Sequence, residues 1–119
     1  MSIVNLTQHA ATAEQVEAGV VAAPRQELLK LLLTFDTLPS AAEIDESAVE
    51  LTILAIMSGC KKAMIGGAPF LMGALAATLQ EAGIQPVFAF SVRESVESTD
   101  ATGAVVKTAV FRHKGFVEV

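Results

Sequence analysis

The sequence predicts a single α/β domain over residues 1–119: a Rossmann-like open sheet, partly parallel, with a C-terminal antiparallel β-hairpin. Three observations predict it. Short apolar runs at residues 2–7, rich in β-branched residues, and 62–67 alternate with longer stretches of helical periodicity, the signature of strand–helix–strand units. Glycines and prolines punctuate the junctions between them. From Arg93 onward the pattern becomes strict alternation around a polar "DATG", which reads as a hairpin.

Taken in order, "SIVNLT" forms the first strand and surfaces at Thr7-Gln8-His9. Thr12 and Gln15 have capping-box spacing, so a short helix starts at Ala13 and ends by Gly19. Pro24 suits the first position of a second helix, whose stripe of Leu28, Leu29, Leu31, Leu32 and Phe35 ends at "DTLPS". A third helix is expected from about Glu46 to Met57, because Val49, Ile53, Ile56 and Met57 recur at helical spacing before Gly59. "KAMIGG" supplies the second strand, "PFLMGALAATLQEAG" a helix stopped by Gly83, and "QPVFAFSV" the third strand. If the hairpin turn centres on Ala101 and Thr102, Ser95 faces Thr108, Arg93 faces Val110 and Ser91 faces Arg112. Arg93 and Arg112 then share one sheet face.

Composition narrows the function classes. With 52% hydrophobic and 18% charged residues the chain folds, and its net charge of −5 opposes binding to duplex DNA. The single cysteine cannot form an internal disulfide, and "MSIVNLTQHA" lacks the features of an export signal, so the cytoplasm is the expected compartment. The most apolar window, Val49 to Met57, is too short to span a bilayer. Two histidines and one cysteine without ligand spacing give no reason to expect a metal, and no cofactor motif is present.

Open α/β sheets bind ligands beyond the carboxyl ends of their parallel strands. Three segments are expected there: Thr7-Gln8-His9, Gly66-Gly67-Ala68-Pro69, and Ser91 to Ser95. The glycine pair, followed by a helix, either holds an anion on backbone N–H groups or merely turns a tight corner. It is neither a phosphate-binding P-loop nor a dinucleotide fingerprint. His9 suits a general acid or base, or a phosphate donor, as well as a loop-fixing role. Thr7 and Gln8 offer a hydroxyl and an amide. Ser91, Arg93 and Arg112 would complete a site for a phosphate or carboxylate, against the alternative that Arg93 pairs with Glu94 or Glu97 on a solvated hairpin.

"NLTQHAATAEQVEAGV" followed by a Rossmann-like half resembles small CRISPR-linked proteins of the CARF-like group. The resemblance covers mainly the first 20 residues and the order of elements. It implies a cyclic oligonucleotide as ligand and, for a chain with no effector domain, a stand-alone sensor or ring-opening nuclease. The whole chain is also similar to small uncharacterised bacterial or prophage-borne proteins, with "FAFSVRESVE" and "FRHKGF" as its most distinctive strings.

The primary expectation is therefore a homodimeric domain binding a small phosphorylated, nucleotide-like ligand through Gly66, Gly67, Ala68, Arg93 and the His9 loop. A second reading makes the chain a non-enzymatic interaction or dimerisation module acting through its C-terminal hairpin, whose end, "GFVEV", is apolar on a candidate edge strand.

Overall fold

The computed structural model describes residues 2–119. Elements run β1 (Ile3–Leu6), α1 (Ala13–Glu17), β2 (Val20–Ala22), α2 (Gln26–Leu33), α3 (Ala41–Ser58), β3 (Lys62–Ile65), α4 (Pro69–Glu81), β4 (Gln85–Thr99) and β5 (Val105–Glu118). The five strands form one sheet in the order β2-β1-β3-β4-β5. The first four are parallel and β5 returns antiparallel to β4, as the expected fold class requires. Among the described residues no helix is long and apolar enough to cross a membrane.

Chain direction explains the layers. The chain steps from β1 to β2 in one direction, then back across β1 to β3 and onward to β4. Right-handed crossovers put helices on opposite faces for opposite directions of travel. Accordingly Val4, Leu6, Ala63 and Ile65 meet Leu29, Leu32, Leu51, Leu54, Leu71, Leu75 and Leu79 from α2, α3 and α4. The other face is thinly covered: Ile3, Val20, Met64 and Val87 lie beneath only Ala11 and Phe116.

Several boundaries differ from the sequence expectation for identifiable reasons. β2 falls in "VVA", a run too short for periodicity to register, and it gains its partners only by lying beside β1. Pro24 precedes α2 rather than opening it, because Arg25 takes a left-handed conformation (φ 53°) at the N-cap. α3 starts at Ala41, not near Glu46, since Ser40 and Glu43 form a full capping box. Its expected core stripe is also the outer one. Ala48, Leu51, Leu54 and Ala55 are buried, whereas Val49, Ile53, Ile56 and Met57 are each about half exposed. From Leu51 onward α3 is apolar on nearly every side, and such a stretch does not reveal its inward face by pattern alone.

The largest difference is at the third strand, which does not end before the hairpin. β4 continues unbroken through Arg93 to Thr99, and its end forms with β5 a two-stranded arm extending past the helices. None of residues 91–114 is buried. The radius of gyration, 17.0 Å, exceeds the roughly 13–14 Å of a compact chain of this length. The end of β5 is tied down: Lys62 Nζ lies 2.9 Å from Glu118 Oε1, and Gln80 and Gln85 Nε2 donate to the Val119 carbonyl.

The arm's register is one residue off the sequence expectation. Ser95 pairs with Ala109, Arg93 with Phe111 and Ser91 with His113. The turn holds three residues, not two, because Gly103 (φ 83°) adopts the left-handed conformation that closes a three-residue loop. A one-residue slip exchanges faces. Arg112 now opposes Val92, placing it on the face opposite to Arg93. It lies 3.4 Å from Glu94, which Lys114 also approaches at 3.4 Å.

Asp100 organises this turn. Its Oδ1 accepts from Thr102 N–H (2.8 Å), the Thr102 hydroxyl (2.6 Å) and Ala104 N–H (3.0 Å). The Thr102 hydroxyl first, then the Ala104 and Thr102 amides, hold its carboxyl below the ordinary aspartate value. A depressed folded-state value stabilises the turn above the unfolded pKa, and that support is lost as pH falls through the lower folded value. NMR titration of the Thr102 and Ala104 amides is expected to report a midpoint below that of free aspartate, with Asp100→Asn abolishing the transition. A midpoint at or above the free value would contradict this account of the turn.

α3 and α4 are joined by a buried polar contact: the Thr52 hydroxyl lies 2.8 Å from that of Thr78 and 2.9 Å from the Ala48 carbonyl. Thr52→Val should cost about 1 kcal/mol. With Thr78→Val in a double-mutant cycle measured by urea unfolding, the two losses should fall short of additivity by about 0.5 kcal/mol or more.

Candidate functional site

The site follows from strand order. β1 hydrogen-bonds to β2 on one side and β3 on the other, so the connections leaving β1 and β3 diverge to opposite faces and leave a crevice between them. Leu6 and Ile65, the last residues of the two strands, are register partners. Thr7-Gln8-His9 and Gly66-Gly67 therefore emerge side by side. Between them lies an open cavity of about 430 Å³, walled by Met64, Ile65, Phe88 and Ala89 and closed over by Thr12 and Gln15 of the α1 start.

Asn5 builds the first loop. It is buried on the thinly covered face, and its side chain bonds in both directions. Oδ1 accepts from Thr7 N–H (2.9 Å) and the Thr7 hydroxyl (2.6 Å), while Nδ2 donates to the His9 carbonyl (2.8 Å). The chain thus curls over its own strand end and His9 is carried out to an exposed position at the cavity. Gln8 Nε2 donates to Thr34 Oγ1 at 3.0 Å, tying the loop to the end of α2. Thr12 and Gln15 form the expected capping box, which occupies their side chains with α1.

The second loop supplies backbone. Gly67 has φ 149°, a conformation side-chain-bearing residues rarely adopt, so the backbone rather than crowding requires glycine there: a Cβ would meet Met72 Cε at an ordinary 3.8 Å. α4 then begins with Pro69 in its first turn and no side-chain cap on its N-terminus. Pro69 has no N–H and the Leu71 N–H donates to the Ala68 carbonyl (3.0 Å), so in the first turn the Phe70 N–H is the donor left to solvent or a ligand, and the helix dipole is positive there. No Asp or Glu lines the cavity, although the chain carries 13 of them.

Of the residues singled out from sequence, Thr7, Gln8, His9, Gly66 and Gly67 line this one cavity. Ser91, Arg93 and Arg112 do not. They sit in the arm, because β4 runs on where a strand end was expected. Ala68 is the N-cap residue of α4 and stands next to the cavity rather than in its lining. Sequence reasoning missed Asn5 and Phe88. Asn5 had a legible signal, a polar residue inside an apolar strand two places before Thr7, the spacing of an Asx turn. Phe88 had none, since only the β3–β4 pairing brings it to the rim.

Asn5→Ala removes three hydrogen bonds and strands the Thr7 amide. It should cost about 2–3 kcal/mol in chemical denaturation, and hydrogen exchange at residues 7–9 should accelerate beyond the global loss. Unchanged exchange there would separate Asn5 from the loop.

Comparison with known families places the chain: it belongs to the Uncharacterized protein MJ1673 family, which matches residues 1–117. Comparison with curated proteins and with solved structures gives no match.

Proposed function

We propose that this member of the family binds a small phosphorylated, nucleotide-like ligand in the crevice between β1 and β3. The observation that carries the reading is the meeting of the Thr7-Gln8-His9 and Gly66-Gly67 loops around one cavity that holds no carboxylate, in a chain of net charge −5. Backbone N–H groups of the Gly66-Gly67 turn and the uncapped start of α4 favour an anion electrostatically. Phe88 and Met64 offer an apolar wall for a planar base, and Gln8 and His9 offer polar contacts at the rim. His9 is the one titratable side chain in the lining, and it contacts the phosphate or moves a proton. Within this class, the sequence resemblance favours a cyclic oligonucleotide.

Arg93 and Arg112 have no part in the ligand site of a single molecule in this reading. Charge neutralisation falls to backbone dipoles, a weaker arrangement than a guanidinium clamp. Affinity should therefore be modest for highly charged ligands.

Thermal shift against mononucleotides, cyclic oligoadenylates and unphosphorylated nucleosides tests this. A ligand present at 100 times its Kd stabilises the native state by about 2.7 kcal/mol, so phosphorylated members should raise Tm and nucleosides should not. Gly66→Asp should abolish the shift while leaving the fold intact, because a Cβ at Gly66 meets only Thr7 Cγ2, at an ordinary 3.5 Å. The absence of any shift at millimolar ligand would remove the proposal. Appearance of a linear product from a cyclic substrate, lost in His9→Ala, would make the site catalytic.

A further inference from the structure

Among the described residues, the arm and the outer side of α3 each carry an apolar surface without a cover. The first is the arm. Its face bearing Val92, Val96, Val106 and Val110 continues the face that packs beneath α4 in the body of the sheet, but no helix of the same chain reaches it. A two-stranded hairpin without a packed face is marginal in water, and this one runs nine residues along β4 beyond Phe90. The second surface is the outer stripe of α3, where Val49, Ile53 and Ile56 follow one another at spacings of four and three residues.

Their charges are opposite. α3 carries Glu43, Asp45, Glu46 and Glu50 and no Lys or Arg. Shallow grooves flank its stripe, rimmed by Asp45, Glu46 and Glu50 on one side and by Glu81 of α4 on the other. The arm sets Arg93, Lys107, Arg112 and Lys114, half of the chain's eight Lys and Arg, against Glu94, Glu97 and Asp100, and Arg93, Glu97 and Lys107 lie on its other face. On its valine face Glu94 is the one carboxylate between Arg112 and Lys114, which leaves a net positive charge there. An apolar strip rimmed by cations thus matches an apolar strip rimmed by carboxylates. Pairing α3 with its own copy would instead set four carboxylates against four, and pairing arm with arm would oppose two positive faces.

We infer that the valine face of the arm lies along the α3 stripe of a second copy, the two molecules exchanging arms reciprocally about a two-fold axis. Reciprocity covers both surfaces of both copies and closes the assembly, whereas one-way docking would leave surfaces free to propagate. This interface is independent of the ligand reading, since no arm residue lines the crevice.

Cross-linking between differently marked copies tests it. In a Cys60→Ser background, Ile53→Cys and Val96→Cys proteins are prepared separately, mixed, and treated with a short bismaleimide. The expected result is a mixed adduct of twice the 12.4 kDa chain mass, dominant over either homo-adduct. Val96–Val96 adducts alone would mean arm-to-arm pairing, Ile53–Ile53 adducts alone helix-to-helix pairing, and either outcome or no mixed adduct overturns the inference. Light scattering of the unmodified chain at micromolar concentration should give the dimer mass, and a monomer mass overturns it equally. Val106→Asp, on the exposed arm, should yield a folded monomer by circular dichroism and light scattering; a persistent dimer would place the interface elsewhere.

Discussion

The rest of the molecule depends on β1 being hydrogen-bonded to a parallel strand on each side. With β2 on one side and β3 on the other, β1 is buried throughout its four residues, and the chain must leave it in one direction and recross it in the other. Handedness then assigns α1 to one face and the three longer helices to the opposite one. The crevice at the Leu6 and Ile65 ends is a geometric result of that reversal rather than of any single motif.

The two faces are unequal, and the cavity follows from the inequality. The helix-covered face holds most of the leucine core, while the other has a four-residue cluster and a five-residue helix, so loops at its rim are free to frame a cavity. Asn5 shows how such a face is kept from collapsing. A buried amide satisfied by three contacts fixes a polar loop where an apolar side chain would only pack. On the neighbouring strand Gly66 and Gly67 do the opposite, removing side chains so that backbone comes to the edge of the same cavity.

The arm belongs to a different balance. Beyond Phe90 the sheet loses its helices yet keeps its alternating valines, so apolar area faces water on a ribbon with little else to stabilise it. The ion pairs among Glu94, Arg112 and Lys114 are about half exposed and contribute little by themselves. The same chain carries a comparable apolar strip on α3, a helix whose hydrophobicity exceeds what its inner half can bury.

By itself the sequence determined the type of every element except β2, the cap at Thr12, the α4 start at Pro69 and the alternation of the hairpin. These depend on residues within a few positions of one another, where propensity, capping and periodicity act. It also placed Thr7, Gln8, His9, Gly66 and Gly67 at strand ends, and those five do line one cavity. Only the tertiary structure decided what depends on distant partners: that "VVA" is a strand because β1 lies beside it, that α3 turns Ala48, Leu51, Leu54 and Ala55 inward, and that β4 runs on into the arm. One extra turn residue, Gly103, moved Arg93 and Arg112 to opposite faces, because strand period is two and a single slip inverts every side chain beyond it.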